Sequence, residues 1–171
     1  NRLSGQKARA SAAFLTAQEY FVQAISLVTE NDWLVKTSLV SGIYIEAAEV
    51  AGMNASYELM EDMLKVLEQH SDDVYIQLSA RKIRIQACVA QNRSTDAVDV
   101  GVESLGIFKL HLPRHPDEED VQTTLLETMQ LLAGKSDEEL ADNHKKADAE
   151  ARIALELLND FSAAAFQNQP M

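Results

Sequence analysis

The residues Gly134-Lys135-Ser136, within LLAGKSDEELAD, carry the three letters that close a phosphate-binding P-loop. A P-loop also needs a preceding strand, an earlier glycine five residues before the second, and a helix whose first amides hold the phosphate. The earlier glycine's position is held by Met129, inside LLETMQLLAG, which has helical rather than strand character. The same letters make good helix punctuation. Gly134 ends one helix, Lys135 lies near its negative C-terminal end, and Ser136 opens a capping box that Glu139 completes. Nucleotide binding is therefore not expected at GKS.

Other chemistry is as sparse. His111 and His115 are four residues apart, with Asp117 and Glu118 nearby, but Pro113 between them prevents the shared helical face that an i, i+4 metal pair requires. His70 and His144 flank turns without an obvious partner. The carboxylate sets Glu46/Glu49 and Glu58/Glu61/Asp62 have the spacing of a solvated helix face. Cys88 sits in the apolar-periodic run RIQACVAQ and reads as a packed thiol. Trp33 reads as packing against the hairpin before it. No Ser–His–Asp, Cys–His or glycine-rich nucleophile arrangement occurs. No catalytic, cofactor-binding or metal-ligating residue is assigned, and the chain is expected not to be an enzyme.

Two binding surfaces are expected instead. Gln77, Arg81 and Arg84 form a polar stripe at helical spacing, with Lys82 beside it, against an acidic background. Helical-hairpin arrays bind through a groove lined by the first helices of their pairs, so this stripe is the candidate contact to an acidic peptide or neighbouring domain. The competing reading is a solvent-facing stripe balanced by Glu68, Asp72 and Asp73. The alternative surface is an apolar groove of Phe14, Tyr44, Met60 and Tyr75, which would take a small apolar effector.

Composition bounds these readings. The chain has 171 residues, three prolines, six glycines and a formal charge of −12. Few breakers favour long helices, and a strong acidic excess opposes binding to nucleic acid. The locally basic start, NRLSGQKAR, has too few cations to reverse that. A lone cysteine fits a reducing compartment. With no 18-residue apolar run and no leader pattern, the expectation is a cytoplasmic chain with no membrane partner. Its start at Asn1 suggests a piece of a longer protein.

The elements that would position these residues are all helices. QKARASAAFLTAQEYFVQAISLV reads as one long helix with a small-residue face, and TEND interrupts it with Asn31 as N-cap. A second helix covers about Asp32 to Ala51, with Leu34, Leu39, Ile43, Ala47 and Val50 on its core side. A third covers Ser56 to Gln69. Ser71 caps a fourth over about Asp73 to Ala90, and a fifth runs from Asp96 to Leu105. GIFKLHLPRHPDEED, with two of the three prolines, is an extended connector. Further helices are expected from Asp117 to about Ala133, after Ser136, and from about Lys146 to Phe161, and SAAAFQNQPM could begin another.

A small or apolar triad recurs at Ala17/Phe21/Ala24, Met60/Leu64/Leu67 and Ala97/Gly101/Ser104, in steps of 43 and 37 residues. The fold expected is all-α, with antiparallel helical hairpins stacked as a tetratricopeptide-like (TPR-like) superhelix. It is read as one domain over 1–171, with hairpins at about 5–51 and 54–105, a connector at 106–116, then helices at 117–134 and 146–162.

Four stretches add a resemblance: SGQKARASAAFLTAQEYFVQAISLV, DWLVKTSLVSGIYIEAAEVAGMNASYELMEDML, STDAVDVGVESLGIFKLHLPRHP and LLAGKSDEELAD. Together they resemble the TPR-like region of large multidomain signalling proteins with an AAA/STAND-type ATPase module, often joined to kinase-like, GAF and sensor histidine kinase domains. The resemblance implies a non-catalytic regulatory and interaction element, with the true P-loop lying N-terminal to Asn1. ADNHKKADAEAR departs from that family's Leu-Pro-x-Met-x-Asp-Pro turn, and none of its catalytic residues maps onto this chain.

Overall fold

In a computed structural model, which describes residues 1–114, 116–145 and 149–167, the chain is helical throughout, with no strand among the described residues. Ten helices are described: α1 (Arg2–Ala10), α2 (Phe14–Ile25), α3 (Glu30–Val35), α4 (Thr37–Met53), α5 (Tyr57–His70), α6 (Val74–Ala90), α7 (Ser94–Gly106), α8 (Glu118–Leu132), α9 (Asp137–Lys145) and α10 (Ala149–Gln167). They fall into two compact units, Asn1–Asn92 and Arg93–Met171.

Unit 1 is built on a repeated turn. The first long run is not one helix, because it breaks at Ser11–Ala13 and folds α1 back on α2. Ala12 takes a left-handed φ of +56°. Its amide bonds to the Arg9 carbonyl at 3.0 Å, and the Ala13 amide reaches the Ala8 carbonyl at 2.9 Å. This is the Schellman closure of a helix end, followed at once by the next helix. Ala55 repeats it between α4 and α5, with φ of +55° and bonds from Ala55 to Gly52 and from Ser56 to Ala51. After α6, Asn92 again takes a left-handed φ of +56°, its amide bonded to the Val89 carbonyl at 3.1 Å. The turn recurs at the 43- and 37-residue steps of the triads, and all nine triad residues are buried in the helices that follow. The first break escapes the sequence reading because alanine supplies it without a glycine or proline to mark it.

The second expected helix also divides. Thr29, not Asn31, caps the short α3: its amide and hydroxyl both bond the Asp32 carboxylate, at 3.1 and 2.7 Å. The Thr29 hydroxyl, then the Lys36 ammonium and the Thr29 amide, hold the Asp32 carboxyl down at about 2. α3 ends at Val35, Lys36 caps it, and Thr37 starts α4. The split turns Leu34 outward, 83% exposed, and leaves Leu39 at the surface, while Ile43, Ala47 and Val50 are buried as expected. Trp33 is buried as expected, but its ring partners lie on the helices that follow it: it is stacked on His70 of α5 with ring centroids 4.5 Å apart and tilted against Tyr44 of α4 at 5.1 Å. Asp73, not Ser71, caps α6, accepting from the Tyr75 and Ile76 amides. The core joins Phe21 of α2, Val40, Tyr44 and Val50 of α4, Met60, Leu64 and Leu67 of α5, and Ala80 and Ile83 of α6.

In unit 2, α7 packs on α10. A Cβ added to Gly101 would lie 2.2 Å from the Phe161 ring, so the glycine is what lets these helices close. α10 runs past Phe161 to Gln167 without a new helix starting at Ser162. The expected start at Lys146 lies outside the described residues. α8 stands apart, with no buried residue. After it, Gly134 takes a φ of +79°, and the Ser136 and Glu139 side chains each bond the other's amide, at 3.2 and 2.9 Å. GKS is thus a helix-to-helix turn, and the segment before it is a helix where a P-loop needs a strand.

Candidate functional site

The expected stripe on α6 is only partly an open surface. Arg84 bends onto α5, where its Nε donates to both Glu61 carboxylate oxygens at 3.2 and 3.0 Å. Its two terminal nitrogens hold Glu68, one of them at 3.0 Å. Burial works to lower the Arg84 pKa, but the bonds to Glu68 and Glu61 outweigh it and raise the value above normal. A guanidinium forked between two carboxylates is an α5–α6 clamp, so Arg84 is held away from an incoming acidic ligand. Gln77 reaches the Ser71 carbonyl at 3.4 Å. Arg81 and Lys82 are half-buried on the same helix.

Phe14, Tyr44, Met60 and Tyr75 do not form the expected apolar groove. Met60 and Tyr44 are core residues and Phe14 packs against that core, whereas Tyr75 is 53% exposed on α6. The periodicity that made them look like one lining is the periodicity of the core itself.

A groove does exist in unit 1. α1, α4 and α6 enclose about 390 Å³, lined by Arg9, Glu49, Met53, Ile83, Gln86 and Ala90 among others. Its wall is a polar seam between α1 and α4. Arg9 donates to Glu49 at 2.5 Å. One turn of α1 earlier, Gln6 donates to Glu46 at 2.8 Å, and Arg2 grips the same carboxylate at 3.0 and 2.9 Å. Burial works to raise the Glu46 pKa, yet Arg2 and Gln6 hold it below the ordinary value. A Cβ on Gly42 would meet the Arg2 guanidinium at 2.8 Å, so the glycine leaves room for that side chain to lie across α4. The sequence contained the signal in two halves. Arg2, Gln6 and Arg9 share one helix face and Glu46 and Glu49 share another, but only the fold sets the faces together.

Unit 2 has its own cleft, of about 620 Å³, between α7, α10 and the connector. Val98, Val102, Leu112, Pro113, Phe161 and Phe166 form its apolar lining. At its edge Arg114 stands 3.6 Å from Asp99. The sequence marks the connector only as a spacer, whereas in the structure it is a wall of this cleft.

His111 is exposed, and His115 lies outside the described residues. Among the described residues no three His, Cys, Asp or Glu side chains gather as a metal site. Cys88 is buried and in no disulfide. No helix among the described residues is long and apolar enough to cross a membrane. Comparison with family models, curated proteins and solved structures finds no match to this chain.

Proposed function

We propose that this chain is a non-catalytic regulatory and protein-interaction module of a cytoplasmic multidomain signalling ATPase or sensor kinase. It packs against adjacent domains of that protein or against a partner protein, and neither nucleic acid nor a membrane is its target. The observation that carries this reading is the unit 1 groove on α1, α4 and α6. Hairpin repeats bind their partners on that side, and here it combines an apolar floor at Ile83 with the Arg9–Glu49 pair and an open Met53.

The test is direct binding of the purified chain to the domains encoded beside it in its reading frame. Met53→Glu together with Gln86→Lys should weaken that binding about tenfold or more, as loss of a groove contact does. Arg81→Glu probes the α6 stripe while leaving the Arg84 clamp intact. Absence of binding by the unaltered chain, or binding untouched by all three substitutions, would remove the reading.

A second reading is a small apolar effector. What favours it is the unit 2 cleft, whose 620 Å³ falls in the size range of ligand pockets. A thermal shift across a metabolite panel tests it.

A further inference from the structure

We draw no further inference here: the strongest candidate, the exposed apolar stripe of Val121, Leu125, Met129 and Leu132 on α8, carries nothing, because no feature of the structure shows what covers it.

Discussion

At Ala12 and Ala55 the backbone holds φ of +56° and +55°, a region that costs an L-residue with a Cβ about 1 kcal/mol or more. Each alanine is the left-handed residue of a helix end whose carbonyls it helps to close. The cost is local, so replacing Ala55 by glycine should stabilise the protein by about 0.5–1 kcal/mol, and Ala12→Gly by a similar amount. Asn92→Gly should gain less, because asparagine tolerates this conformation. Urea unfolding followed by Trp33, the single tryptophan, measures all three. A midpoint lowered by Ala55→Gly would contradict the argument.

Between elements, apolar burial and a polar seam share the work in unit 1. α2, α4 and α5 meet through large side chains, whereas α1 is held to α4 largely through Arg2, Gln6 and Arg9 on Glu46 and Glu49. That makes the α1–α4 contact acid-sensitive. The Glu46 pKa is lowered in the folded protein from its ordinary 4.5, so the pair's contribution is present above pH 4.5 and lost as pH falls through the folded value. Once the pH falls below 4.5, protection of the α1 amides against hydrogen exchange should therefore be lost before that of α4 and α5. Glu46→Gln should cost about 1–2 kcal/mol at neutral pH and flatten the acid dependence. Equal acid sensitivity in the unaltered chain and the Glu46→Gln variant would refute the seam's role.

For the whole molecule, the division into two compact units implies separable folding. A chain cut to residues 1–92 keeps the core of Phe21, Tyr44, Leu64, Leu67 and Ile83 together with the Trp33–His70 stack. It should stay helical and unfold cooperatively by Trp33 fluorescence. A fragment without a transition would mean that unit 1 depends on the rest of the chain.

Helical class, most helix positions and the recurrence of buried triads were legible in the sequence. They follow from local periodicity and from the small number of prolines and glycines, which act on neighbours in the chain. The capping turn at GKS was legible for the same reason, since Ser136 and Glu139 are three residues apart and need no other element. The break at Ala12 was not, because alanine favours helix and only the packing of α1 on α2 repays its left-handed turn. Nor could periodicity separate Arg84, clamped by α5, from an open stripe, or Leu34, turned outward, from a core residue. Sequence alone determined which side chains share a helix face. Tertiary structure alone decided what each face meets, because charge pairs such as Arg2–Glu46 join residues 44 positions apart, and pairing over that distance is set by how the helices pack.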